Sequence, residues 1–420
     1  MTADTIGSRH SPKLRHTHFR HAADALARVL DRDAADLTLR ELFAAHRNAG
    51  SRDRAAITAL VYGVLRDYFP LRAALGDGAA PLELCVAHAV RALAVPVEAL
   101  PRLEGIDASA LERRLARAPA PDEAARHNLP AWLWDALRAQ YGPNAAALAG
   151  ALNVEATVDL RVNTLKASRD EAQRVLREDG IESDPIAGLD SGLRLRRRVA
   201  LQRTRAFRDG LVEPQDAGSQ RLAAFVGAAA GETVVDFCAG AGGKTLALGA
   251  AMKNRGRLHA FDISRERLAR LTPRLARSGL TIVESQALSH ERDARLQPLI
   301  GRCDAVLVDV PCSATGSLRR NPELRLRPVD IAELAATQGL ILEGAARLVR
   351  PGGRLVYATC SVLAAENEEI AAAFLTYFRE FEPDGELILL PHRDGCDGFY
   401  AVKLVRSASS SAPTPTRTGT

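Results

Sequence analysis

Between Gly231 and Arg406 short apolar runs alternate with helix-forming stretches, and no other feature of the chain restricts its fold as tightly. TVVDF (233–237), LHAFDI (258–263), TIVES (281–285), AVLVDV (305–310) and RLVYAT (354–359) have the length and β-branched content of buried strands. Helical stretches such as 245–252 and 332–348 lie between them. Strand–helix alternation of this kind predicts an α/β domain built on a doubly wound, mainly parallel sheet. Ligands of such sheets bind beyond the carboxyl ends of the strands, so the residues at those ends carry the functional information. No apolar run reaches the roughly 20 residues of a membrane helix.

The first strand runs directly into DFCAGAGGKT, which sets Gly240, Gly242 and Gly243 ahead of a helix. Glycines at a strand-to-helix turn let backbone N–H groups approach a ligand closely, and the helix N-terminus adds a favourable field. Asp262 closes the second strand, where a carboxylate is placed to accept ribose hydroxyls. Three ligands compete for this arrangement. A nucleotide-phosphate loop requires a glycine where Cys238 stands, and a dinucleotide fingerprint requires one where Thr245 stands. S-adenosylmethionine fits best, having a ribose and adenine but no phosphate.

The six cysteines, at 85, 238, 303, 312, 360 and 396, form no CxxC pair, so neither a disulfide framework nor a metal site is expected. His392 and Cys396 have ligand-like spacing but no second pair beside them. Two of the six stand apart. The fourth strand ends in DVPCSATGSLRRNPE, which puts Asp309 and Cys312 at its carboxyl end, and the fifth ends in YATCSVLAAENEE, which puts Cys360 there. If both strands flank the first, the two thiols project into one cleft beside a methyl donor. A lone cysteine is ordinarily a small buried hydrophobe; two at strand ends beside turn residues point to chemistry. Carbon 5 of cytosine is too weak a nucleophile to attack a methyl sulfonium unaided. A thiolate adding to carbon 6, with a hydrogen bond at N3, makes carbon 5 enamine-like. A second thiol and a carboxylate then serve loss of the carbon 5 proton and expulsion of the thiolate. Such a thiolate needs an electropositive setting, which Lys244 and nearby arginines would supply. A base within a duplex must be unstacked to reach the cleft. Spacing leaves open which thiol attacks.

Upstream, residues 17–145 read as an all-α domain. In DRAAITALVYGVLR, Ile57, Leu60, Val61, Val64 and Leu65 share one helix face. Residues 146–228 read as a small α+β module in which TVDLRVNTL is a strand, ASRDEAQRVLREDG a helix and 192–199 another strand. Seven arginines between Arg194 and Arg208 outnumber nearby carboxylates there, a pattern suited to phosphate. The net charge of +5 is compatible with a polyanion, and with aromatics at 5% recognition would lean on arginine. Residues 1–16 read as a flexible basic arm without the apolar stretch of a secretory signal, 229–406 as the sheet domain and 407–420 as a disordered tail. A cytoplasmic monomer is expected, with no membrane and no metal.

The landmarks DRAAITALVYGVLR, LRVNTLK, EPQDAGSQ, DFCAGAGGKT, DVPCSATGSLRRNPE, YATCSVLAAENEE and DGFYAVKL follow one another in an order that covers most of the chain. In that order they resemble the Nol/Nop/Sun family of RNA 5-cytosine methyltransferases. With its helical front end the chain is similar to the bacterial small-subunit ribosomal RNA group of that family. The resemblance implies a NusB-like helical domain, an RNA-recognition-like module and a class I Rossmann-like methyltransferase domain. It implies Cys360 as nucleophile, Cys312 in release of the methylated base, and Asp309 at the cofactor and at the cytosine edge. S-adenosylmethionine would be held by Cys238, Ala239, Gly240, Ala241, Gly242, Gly243 and Lys244, with Asp262 and Asp309. Arg161 and Asn163 of LRVN would shape the module beside the site. With Arg196, Arg197, Arg198, Arg319 and Arg320 they are the expected contacts to RNA, 16S ribosomal RNA first and transfer RNA second. A non-catalytic NusB-type RNA-binding factor is the remaining alternative, against which the intact cysteines speak. The chain departs from the family pattern where an aspartate often contacts adenine, leaving Gln286 as candidate, and where a tryptophan often follows NPE, leaving Leu326.

Overall fold

The structure is a computed structural model that describes residues 14–408; most of the expected arm and tail lies outside the described residues. The chain divides into two compact units. One comprises residues up to Val154 together with Leu318–Pro328; the other comprises Glu155–Ser317 and the chain from Val329 onward.

The first unit is helical. Its helix Ser51–Arg66 buries Ile57, Leu60, Val61, Val64 and Leu65, the face expected from their spacing. Phe19 and Leu26 of His16–Leu30 and Leu84 of Pro81–Arg91 complete that core. Each such side chain contributes roughly 1.5–3 kcal/mol on burial. The segment Leu318–Pro328 follows the first cysteine motif in sequence but packs here. The buried Arg325 guanidinium donates to the Asn128 carbonyl at 2.8 Å and to Asn153 Oδ1 at 2.7 Å. Glu323 accepts from the Ala35 N–H, and Leu326 packs against the helical core.

The second unit contains two sheets. The smaller joins β1 (Asp159–Val162), β2 (Ser183–Pro185), β3 (Gly192–Leu195) and β4 (Val212–Pro214) in the order β2-β3-β1-β4, with every pair antiparallel. Helix Arg169–Glu178 covers it, started by Ser168 and Glu171 as a reciprocal capping box.

The larger sheet contains β5 (Thr233–Asp236), β6 (Arg257–Asp262), β7 (Val283–Ala287), β8 (Cys303–Asp309), β9 (Val349–Thr359), β10 (Phe381–Leu389) and β11 (Phe399–Arg406). Their order is β10-β11-β9-β8-β5-β6-β7. The five strands expected from sequence are parallel to one another, and β11 is antiparallel to both its neighbours. Strand order reverses between β5 and β8, and such a switch point opens a crevice at the carboxyl ends. Of the two cysteine-bearing strands, β8 flanks β5 and β9 lies one strand further out.

Candidate active site

The crevice begins at the turn after β5. Gly240 has φ +56° and Gly242 φ +81°, left-handed values that favour glycine. A Cβ on Gly242 would also lie 2.2 Å from Leu271 Cδ1, so space as well as backbone demands glycine there. Helix Gly243–Ala251 follows, and its Thr245 hydroxyl donates to Asp236 Oδ2 at 2.6 Å. Burial pushes the Asp236 carboxyl up to about 6 in spite of that bond.

Asp262, at the end of β6, joins this turn to the next loop. Its Oδ2 accepts from the Gly240 N–H at 2.8 Å, and its Oδ1 accepts from the Ser264 N–H at 2.7 Å and from Arg267 at 2.9 Å. Each carboxylate oxygen carries two lone pairs, so room remains for a ligand hydroxyl. A cavity of about 600 Å³ opens here. Cys238 to Ala241 line its floor, Asp262 and Asp309 its polar side, and Ile263, Leu288, Val310 and Ile341 its apolar side, with Cys312 and Cys360 also in the wall. Ile263 is 69% exposed, an unusual state for isoleucine and one that a flat aromatic ligand would relieve. Volume, exposed apolar flank and well-placed acid fit a nucleoside with an amino-acid arm, which is the shape of S-adenosylmethionine.

The expected cofactor stretch divides by role. Cys238–Ala241 face the cavity, whereas Gly242 and Gly243 turn the chain into the helix. Burial, reinforced by Asp309, pushes the Cys238 thiol far up, which keeps it inert. Lys244 pairs with Asp309 Oδ2 at 2.6 Å and sits over the Phe399 ring at 5.6 Å. Burial pulls its ammonium down, but the charge and hydrogen bond of Asp309, with Cys360 and Asp236, outweigh burial and hold it above its ordinary value.

The two cysteines of the strand-end motifs meet. Cys312 Sγ and Cys360 Sγ are 3.3 Å apart, a hydrogen bond rather than a disulfide, and both are free thiols. The hydrogen bond to Cys360, then burial, then the charges of Cys360 and Glu366 hold the Cys312 thiol well above the usual range.

Sequence reading missed what holds these loops. Glu366 is completely buried. Its Oε1 accepts from the Ser313 N–H at 2.8 Å and from Gln338 at 3.0 Å, and its Oε2 accepts the Ser313 and Ser361 hydroxyls. Each serine follows one of the two cysteines.

The expected RNA contacts fare differently. Arg161 and Asn163 are buried, the first donating to Gln215 Oε1 at 2.7 Å and the second to the Gly210 and Ser278 carbonyls. Asn163 thereby ties the small sheet to helix Leu271–Ser278 of the larger domain, Arg161 is held to the chain just after β4, and neither meets solvent. Arg319 is buried within the helical unit, its carbonyl accepting from Arg66, and Arg320 is half-buried there. The supposed excess of unpaired arginines is corrected: Arg194 pairs with Asp159, Arg196 with Asp184, Arg198 with Glu155 and Arg205 with Glu178. Arg196, Arg197 and Arg198 are exposed. Gln286 is exposed on the edge strand β7 and does not line the cavity; Leu288, Ser289, His290 and Glu291 occupy that wall. Their place just past the end of a strand was the signal that could have found them. Among the described residues no group of three or more His, Cys, Asp or Glu side chains could hold a metal, and no helix is long and apolar enough to cross a membrane.

Comparison with known proteins adds to this geometry. A family profile described as 16S rRNA methyltransferase RsmB/F matches residues 224–405. A second, the RsmF/B-like ferredoxin-like domain, matches residues 129–202, so it takes in the last helices before the small sheet. The probable ribosomal RNA small subunit methyltransferase B of Synechocystis is 33% identical over 67% of this chain and 68% of its own length. Ribosomal RNA small subunit methyltransferase B of Erwinia tasmaniensis is 31% identical over 86% of this chain and 93% of its own. The crystal structure of PH0851 superposes with a TM-score of 0.79 at 26% identity, covering 93% of this chain and 99% of that one.

Proposed function

The chain belongs to the RsmB/F family of ribosomal RNA small-subunit methyltransferases, and from that premise we propose that it methylates carbon 5 of a cytosine in 16S ribosomal RNA with Cys360 as covalent nucleophile. The observation that carries this reading is the Cys312–Cys360 pair, 3.3 Å apart in the wall of a cavity that also presents Asp309 and the glycine turn.

When bound, S-adenosylmethionine supplies an electrophilic methyl group; Asp262, Cys238–Ala241 and the Ile263 flank would hold it. The protein's own residues do the rest. Cys360, reacting as thiolate, forms the bond to carbon 6. The electron pair of the carbon 5–carbon 6 double bond is thereby released toward carbon 5. Asp309, oriented by Lys244, hydrogen-bonds the cytosine edge, accepting from the N4 amino group and from N3 once N3 is protonated. Once carbon 5 carries both methyl and proton, Cys312, its own proton given up to solvent, takes the carbon 5 proton as thiolate, the carbon–hydrogen electron pair re-forms the double bond, and the Cys360 sulfur leaves with its electron pair as thiolate. Lys244 supplies the positive setting that a thiolate needs.

The helical unit is proposed as NusB-like and RNA-binding, covering residues 17–145, and the small sheet as an RNA-recognition-like module within 146–228. Arg196, Arg197 and Arg198 are the proposed phosphate contacts of that module.

The test is incubation with labelled S-adenosylmethionine and deproteinised small-subunit ribosomal RNA, with transfer RNA as a parallel arm. Ribosomal RNA is expected to become labelled by the native protein, and Cys360→Ala to lose the label. Full labelling by Cys360→Ala would overturn the mechanism, and labelling of transfer RNA alone would overturn the substrate.

A further inference from the structure

We infer that Glu366 is the positioning residue of the thiol pair: by binding the residue that follows each cysteine, it fixes the separation of Cys312 and Cys360. The inference rests on the reading of Cys360 as nucleophile. A fully buried carboxylate is costly unless it is thoroughly hydrogen-bonded. This one is satisfied by neutral donors, none of them an arginine or lysine: the Ser313 N–H, the Gln338 amide and the hydroxyls of Ser313 and Ser361. Ser313 adjoins Cys312 at the end of β8 and Ser361 adjoins Cys360 at the end of β9. One side chain thus clamps two loops that are separate in sequence. Tyr357 locks the clamp by donating to the Glu366 carbonyl. The Glu366 charge also helps hold the Cys312 thiol above its usual range.

The arrangement of donors supplies a discriminating test. Both N–H donors fall on Oε1, whereas Oε2 meets hydroxyls, which can rotate to accept instead. Glu366→Gln therefore keeps reach and contacts but loses charge, and Glu366→Asp keeps charge but loses reach. The full chain and both variants are reacted with ribosomal RNA carrying 5-azacytosine, which retains the covalent adduct, while calorimetry with S-adenosylmethionine confirms that the cofactor site is folded. For Glu366→Asp, adduct formation at saturating RNA is expected to slow about 100-fold, the cost of an ångström-scale misplacement, with the half-saturating RNA concentration unchanged within about threefold. Glu366→Gln is expected to stay within about tenfold of the native rate. In parallel, diamide withdraws two electrons and two protons from the thiol pair to form a disulfide. That closure should be fast in the native chain and in Glu366→Gln, and slow in Glu366→Asp. A native-like Glu366→Asp, or a Glu366→Gln as impaired as Glu366→Asp, would overturn the inference. Absence of an adduct in the native chain would instead overturn the Cys360 reading, and the diamide rates would still decide the role of Glu366.

Discussion

Cys360, Cys312, Asp309, Asp262 and Gly240 were legible as single residues because each stands at a strand end beside a turn signal, where the fold class already directs attention. Glu366 was not. In AENEE it looks like one more surface acid, and nothing in a lone sequence marks which of three glutamates is buried. The arginines erred the other way: Arg161 and Arg319 advertise charge, but only packing shows that they are interior. Two residue-scale predictions follow from buried or strained positions. Asp236 has its carboxyl raised to about 6, so between that pH and its unfolded value near 3.8 the native state holds a proton the unfolded chain does not. Stability should fall as pH rises through that window, by about 3 kcal/mol at most. Urea midpoints from pH 4 to 7 should show the slope in the native protein and lose it in Asp236→Asn. Ala314, beside the Cys312 motif, has φ +56° without being glycine. Ala314→Gly should raise stability by up to about 1 kcal/mol, partly offset by the freedom of glycine in the unfolded chain. An unchanged or lower urea midpoint would contradict that expectation.

At the scale of elements, the five parallel strands were readable because buried parallel strands are short continuous apolar runs. The flanking pair was harder. Pro383, Asp384 and Gly385 interrupt β10 at a register shift, and most of that strand is exposed, so it carries no clean alternation. Strand β11 is nearly continuous in burial but pairs antiparallel, which its residues do not announce. The strand expected over 192–199 stops at Leu195, where it has paired with both β1 and β2. The glycine turn was read correctly as an element and now has a steric reason. Gly242→Ala places a methyl group against Leu271 and strains a left-handed residue at the start of helix Gly243–Ala251. Destabilisation of about 1–3 kcal/mol is expected. Calorimetry should show S-adenosylmethionine binding at least about tenfold weaker, since 1.4 kcal/mol of distortion passed to the site suffices. Unaltered affinity would mean that the turn does not shape the cofactor site.

For the whole molecule, the sequence separated a helical front from an α/β body; the structure has a helical unit and a unit that contains both sheets. It missed Leu318–Pro328, which lies inside the catalytic stretch of sequence yet packs with helices more than 150 residues away through Arg325 and Glu323. A packing choice of that kind depends on side chains meeting across the fold, which no local pattern encodes. The nature of the substrate was also beyond composition: a charge of +5 permits RNA without naming it, and the ribosomal reading comes from the family. What the geometry adds is the pair itself, the Cys312 and Cys360 sulfurs 3.3 Å apart in the wall of the cavity that also presents Asp309. The most direct test is to react the native protein with S-adenosylmethionine and 5-azacytosine-containing small-subunit ribosomal RNA, digest it, and locate the nucleotide adduct by mass spectrometry. The account predicts the adduct on the peptide that contains Cys360; an adduct on the peptide that contains Cys312, or none at all, would contradict it.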